Sequence, residues 1–244
     1  MARLAHSASS IELGARCQYA WVLRYIVGVK EPEYKWDDPT APPRARAAAL
    51  GKEVHRRLER YLKGKHVEWH DRPGRIAASG VRYLPQPREV ARTEFDFTVE
   101  IDGVTWRGVI DAETKQGLLI DHKTTKTIAL YAHTPETLAA NFQACVYEAA
   151  RGPSLIRVRR TVRDAATHRW VYYQTDTNAP PASRKVECTI TLARALAAFK
   201  SEDTLRRKDV LARRDALRGT SFAPTKLARQ LDTLEALTTP CRIG

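Results

Sequence analysis

The stretch from Gly108 to Lys123 constrains this chain more than any other. Two apolar runs, one holding Val104, Trp106, Val109 and Ile110 and the other Leu118, Leu119 and Ile120, each end on an aspartate. Those aspartates are Asp111 and Asp121, and the turn Lys115-Gln116-Gly117 lies between them. Short apolar runs joined by a polar turn are expected to lie side by side as antiparallel strands. Side chains alternate along a strand, so Asp121 and Lys123 should share a face while His122 points away. Two carboxylates on neighbouring strands, with a lysine beside them, make a candidate site for a hard divalent cation and an attacking water.

The remaining chain supplies elements around this pair. Ser9-Ser10-Ile11-Glu12 fits a capping box opening a helix to about Ile26, with Ile11, Ala15, Trp21 or Val22, and Tyr25 on its inner face. A Pro-rich loop from Lys30 to Pro43 precedes a helix from Arg44 that carries Leu50, Val54, Leu58 and Tyr61 at helical spacing, with Gly51 and His55 in the same helix. Residues 64–88 read as loop with a short element. Phe95, Phe97, Val99 and Ile101 alternate on a strand from Glu89, and Asp102-Gly103 closes a hairpin into the strand ending at Asp111. After Lys123 a linker leads to a helix from Pro135 to Ala150, on which Gln143 and Tyr147 stand four residues apart and share a face. Leu155–Val162 and Trp170–Gln174 read as strands, and 186–214 and 226–237 as helix. The expected architecture is one α+β domain over residues 1–244. Its core spans about 44–175, a central mixed β-sheet flanked by helices, with helical extensions at 7–27 and 186–238.

Charge narrows the partners. The 244 residues carry a net charge of +13 and a pI near 9.8, which favours a polyanion such as nucleic acid. The excess is densest between Arg151 and Arg214, where 15 Lys/Arg face 6 Asp/Glu, although the Arg157–Arg160 run alone would suit a solvated strand face. Trp170, Tyr172 and Tyr173 fit either base stacking or the core. No apolar run approaches the ~18 residues of a membrane span, and no secretory leader is visible, so a cytoplasmic setting in a bacterial or phage-infected cell is expected. Cys17, Cys145, Cys188 and Cys241 are scattered without a C-x-x-C pair, as reduced thiols are.

An acidic residue two before a lysine is a poor signal alone, and it recurs at Glu33/Lys35 and Glu113/Lys115. Asp102 and the second of these pairs fall in turn-like segments, whereas Asp121-His122-Lys123 follows three large apolar residues, as a rigid central strand requires. Ile110-Asp111 followed by Ile120-Asp121-His122-Lys123-Thr124 resembles the core of the PD-(D/E)XK nuclease superfamily. Gly51/His55, Gln143/Tyr147 and Ser9 followed by Cys17-Gln-Tyr-Ala-Trp-Val-Leu-Arg24-Tyr25 narrow the likeness to the RecB-like branch, which includes CRISPR-adaptation nucleases and phage-type exonucleases. The signatures stand in the branch's order across residues 7–150.

The resemblance implies a restriction-endonuclease-like core and a set of roles. His55, Asp111, Asp121 and the backbone carbonyl of His122 would bind Mg²⁺ or Mn²⁺, the ions that carboxylate and water ligands suit. Lys123 would position the water and stabilise charge on the phosphate. Gln143 and Tyr147 would hold the substrate strand or orient the lysine, and Glu94 would be the acidic residue on the preceding strand. Some relatives carry an iron–sulphur cluster, but the closely spaced C-terminal cysteines for one are missing here, and a cluster is not expected. The implied activity is a metal-dependent DNase acting on linear ends or single strands in recombination, repair or phage DNA metabolism. A structure- or sequence-specific endonuclease, or a non-catalytic DNA-binding subunit, are the alternatives. With no Gly-x-x-x-x-Gly-Lys-Ser/Thr loop, a helicase or recombination partner would be another chain.

Overall fold

A computed structural model describes residues 6–101, 104–155, 165–176 and 178–200. Five strands form one sheet in the order β1-β2-β3-β4-β5: Val90–Ile101, Val104–Thr114, Leu119–Thr125, Ala165–Gln174 and Ser183–Thr191. All neighbours are antiparallel except β3 and β4. A parallel pair needs a crossover, and three helices supply most of it: α5 (Ile128–Tyr131), α6 (Pro135–Ala139) and α7 (Phe142–Leu155). The expected mixed sheet flanked by helices is therefore the observed fold.

Alternation along the strands gives the sheet two buried faces. On one, Trp106 of β2 and Trp170 and Tyr172 of β4 join Phe142 and Ala149 of α7, Ile11 of α1 (Ala8–Arg16), and Phe199 of α8 (Leu192–Lys200). The Trp106 ring meets those of Phe142 and Phe199 edge-on at 5.4 and 5.5 Å. On the other face, Val171 and Tyr173 pack on Leu50, Val54 and Leu58 of α3 (Pro43–Leu62) and Ile76 of α4 (Arg72–Gly80). Each fully buried side chain of this size stabilises the fold by about 1.5–3 kcal/mol. Trp170, Tyr172 and Tyr173 are thus core residues rather than stacking platforms, with exposures of 3%, 3% and 0%.

Three sequence expectations are corrected. The N-terminal helix starts two residues earlier and breaks. Ser7 and Ser10 form the capping box, α1 ends at Arg16 with Cys17 extended, and α2 (Gln18–Trp21) continues into a π-helical turn, Val22–Val27, closed by left-handed Gly28. The short element expected within residues 64–88 is α4, where Asp71 Oδ1 accepts from Gly74 N at 2.8 Å beside a helix-starting Pro73. The helix expected over 135–150 is two, divided where Asn141 Oδ1 accepts from Gln143 N and Ala144 N and starts α7 afresh. Residues 186–191 are strand, not helix: Val186, Cys188 and Ile190 alternate inward against β4. The Asp102-Gly103 turn, most of the Leu155–Val162 strand and the helices expected beyond residue 200 lie outside the described residues, although Leu155 itself ends α7.

Candidate active site

The site forms where β2 and β3 part. Their ladder pairs Glu113 with Leu119 and Ala112 with Ile120, and the next opposed residues are Asp111 and Asp121. There the ladder stops, and side chains take over the backbone groups it abandons. Asp111 Oδ2 accepts from His122 N at 2.6 Å, and Tyr147 Oη donates to Val109 O at 2.9 Å. Further along the freed edge of β2, His6 N donates to Thr105 O and Arg107 N to His6 O, a parallel bridge to Trp106. A fork results, with the two aspartates at its crotch and the N-terminal segment in its mouth.

Asp111 faces α3. Its Oδ2 lies 3.6 Å from His55 Nδ1, and Glu94 completes a group whose ligand atoms lie within 4.8 Å of one another. Glu94 stands opposite Asp111, between the pairs Thr93–Ala112 and Phe95–Ile110, and has a φ of +44°. A left-handed non-glycine residue costs on the order of 1–3 kcal/mol, a strain typical of functional positions. Burial and the Asp121 charge push the Asp111 carboxyl well up, and burial holds the His55 imidazole below its usual value. Partial enclosure, with Glu59 nearby, raises Glu94. A neutral imidazole and two crowded carboxylates are a donor set that a hard divalent cation would relieve of repulsion.

Asp121 and Lys123 face α7, as alternation requires. Lys123 Nζ lies 2.7 Å from Asp121 Oδ2, donates to Gln143 Oε1 at 2.9 Å, and sits 4.5 Å from the Trp170 ring centroid. Gln143 Nε2 donates to Tyr147 Oη and, at 3.3 Å, to Asp121 Oδ1, which Tyr147 Oη also approaches at 3.3 Å. Gln143 and Tyr147 thus meet the lysine and aspartate directly. The 3% exposed Asp121 turns to this network and is not one of the three closely grouped ligands, while Glu94 is. The competing Glu113 is occupied by Arg92 at 2.7 Å.

The His122 ring points to the opposite face, edge-on to His55 at 5.6 Å, with Nδ1 3.3 Å from Tyr173 Oη. Burial keeps it neutral, well below its usual range. Gly51, one turn before His55, supplies close approach: a Cβ there would lie 2.6 Å from Thr124 Oγ1. The absent side chain lets α3 rest on β3, which brings His55 to Asp111. Gly51→Val should therefore push α3 off the strand, costing about 1–3 kcal/mol of stability and weakening metal binding. A thermal melt with and without Mg²⁺ would check both.

Three features escaped the sequence reading: the Gly51–Thr124 contact, the Asn141 cap that places Gln143, and the His6 bridge. Of these only Asn141, as a polar residue before an apolar helix, left a local signal. The expected basic surface is partly consumed within the molecule. Arg151 is buried against Glu148 and Gly117 O, and Arg169 binds Glu187 and Tyr83 O, whereas much of the remaining run lies outside the described residues. Cys145 and Cys188 lie in the apolar core, where burial pushes both thiols up to about 11, and such thiols are poor metal ligands. Cys241 lies outside the described residues. Among the described residues no helix is long and apolar enough to cross a membrane.

Residues 5–79 match the model of the PD-(D/E)XK nuclease superfamily, so the superfamily likeness read from the sequence is borne out. The crystal structure of a provisionally assigned exonuclease from Eubacterium rectale aligns over 87% of this chain and 82% of its own, at 10% identity and a TM-score of 0.54. That likeness is one of fold. SSO0001 aligns over 100% of this chain and 89% of its own at 15% identity, with a TM-score of 0.45, too loose to argue from. No curated protein matches the sequence.

Proposed function

From the PD-(D/E)XK nuclease superfamily match, we propose that this chain is a Mg²⁺- or Mn²⁺-dependent DNA nuclease of the RecB-like kind, acting on linear ends or single strands. The observation that carries the reading is the fork, where His55, Glu94 and Asp111 converge within 4.8 Å beside an Asp121–Lys123 pair held by Gln143 and Tyr147. The exonuclease assignment of the Eubacterium rectale protein agrees with the end-dependent form.

His55, Glu94 and Asp111 would hold the ion, with Asp121 and the His122 carbonyl as the other contributors. A bound divalent ion supplies Lewis-acid polarisation of the phosphoryl oxygen, an attacking water of lowered pKa and charge stabilisation at the leaving 3′-oxygen. Lys123 directs its ammonium at the attacking water and the phosphate. Gln143 aligns it by accepting a hydrogen bond from Nζ, and Asp121 anchors it from the other side. Tyr147, its hydroxyl kept protonated by burial, fixes Gln143 and the edge of β2. The products would carry 5′-phosphates.

The test uses end-labelled linear duplex, linear single-stranded and closed circular DNA, with Mg²⁺, Mn²⁺ or EDTA. Metal-dependent loss of linear DNA with circles intact is the expected result, and EDTA should abolish it. Nicked circles would move the assignment to an endonuclease. Tight binding without cleavage of any substrate would favour the non-catalytic reading.

A further inference from the structure

One trough leads away from the fork along the exposed side of α3. Its inner part, a groove of about 450 Å³, is lined by His55 and Glu94 of the ligand group, by Lys52 and Arg56, and by Gly51 and Thr124. Its outer part, also about 450 Å³, shares Lys52 and Arg56 and extends to Tyr34, Lys35 and Trp36 in the loop before α3. Lys52 and Arg56 stand at i and i+4 and so share a helix face. Gly51 and Ala48 keep the floor low where their side chains would otherwise fill it.

Two unpaired cations stand along the trough. Lys35 and Lys52 are exposed and have no side-chain partner among the described residues. Of the acids along the trough, Glu53 is held by Arg56 and Arg57, and Glu59 by Lys63, which leaves Asp37 and, at the fork end, Glu94 of the ligand group. The aromatic residues stand at the far end, where Trp36 is partly buried against the Leu50–Val54–Leu58 cluster and Tyr34 is partly buried as well. A groove that offers unpaired lysines and ends on aromatic rings is an arrangement that holds unpaired nucleotides, whose bases have open faces to stack. Lys52 and Arg56 join the two parts of the trough, and His55 and Glu94 make it continuous with the fork.

We propose that this trough is the binding track for a single-stranded stretch of DNA, with Lys35 and Lys52 on its phosphates and Tyr34 and Trp36 under its bases. The track rests on the nuclease reading and deepens it. It delivers a strand past His55 to the fork, and it sets affinity without entering the chemistry.

The experiment follows a fluorescein-labelled oligo-dT by anisotropy, with the full-length chain in EDTA so that binding is read without cleavage. Lys35→Glu/Lys52→Glu should bind at least tenfold more weakly. Its salt slope should be shallower by about 1.4, the share of two single-strand phosphate contacts. With Mg²⁺ the same variant should show a raised KM and an unchanged kcat on single strands. Arg56 is left intact, since reversing it would set a like charge on Glu53, and Lys35→Gln/Lys52→Gln, expected to fall between, guards against misfolding. Arg107→Glu, on the separate α1–α7 side of the fork, should bind as the wild type does. Binding by the double variant within twofold of wild type would overturn the track and leave the nuclease reading standing. So would weakening confined to Arg107→Glu, or lysine dependence seen with blunt duplex only. A wild-type chain that neither binds nor cleaves any DNA would remove the nuclease reading, and the track with it.

Discussion

Lys123→Ala should lose cleavage by about 10²–10³-fold, the usual cost of removing one preorganised charge-stabilising donor, while the response to Mg²⁺ persists. The reason is geometric. Lys123 Nζ is fixed between Asp121 Oδ2 and Gln143 Oε1 at 2.7 and 2.9 Å, so its position owes nothing to the ligand group of His55, Glu94 and Asp111. Some stability will go too, because Asp121 is 3% exposed and loses its counter-charge. Breaking a fully buried pair costs about 3–5 kcal/mol, but the 30% exposed lysine side chain makes this pair cheaper to break, at about 1–2 kcal/mol. Lys123→Arg should not rescue activity, since a planar guanidinium cannot present the same point charge in that space. The checks are single-turnover cleavage and a Mg²⁺ titration of the melting temperature. Wild-type cleavage by pure Lys123→Ala would remove this lysine from the chemistry.

Asp111→Asn should divide function from stability in the opposite way. Burial and Asp121 hold the Asp111 carboxyl well above its ordinary 3.8, so the folded chain retains a proton that the unfolded chain gives up. The charged form therefore destabilises the metal-free protein at neutral pH, and that destabilisation is relieved as pH falls through the raised value. Asparagine removes the charge and can still accept from His122 N. Without metal the variant should melt higher, by about 2–4 °C for each kcal/mol relieved. It should also lose most Mg²⁺-induced stabilisation and all measurable cleavage, since one of the three grouped ligands has become neutral. A variant that still gains stability with Mg²⁺ as the wild type does would contradict the ligand role of Asp111.

Much of this arrangement is legible in one dimension because its causes are local. Two apolar runs around Lys115-Gln116-Gly117 announce a hairpin, and period-two alternation puts Asp121 and Lys123 on one face whatever surrounds them. Helical spacing does the same for Gln143 with Tyr147 and for the inward stripe of α3. The errors are also local in origin. Ser7 competes with Ser9 for the cap, Asn141 interrupts a helix that composition favours, and the alternating Ser183–Thr191 strand sits among good helix formers.

The sequence by itself determined which of the candidate residues share a face, because side-chain periodicity follows from backbone geometry alone. Tertiary structure decided how the set divides. The ladder between β2 and β3 ends at Ala112–Ile120, so Asp111 turns to His55 and Glu94 while Asp121 turns to Lys123 and Tyr147. No spacing records where two strands part. That depends on what else satisfies the freed backbone groups, and here the donors and acceptors come from His6, His122 and Tyr147, distant in sequence and adjacent only in the folded chain.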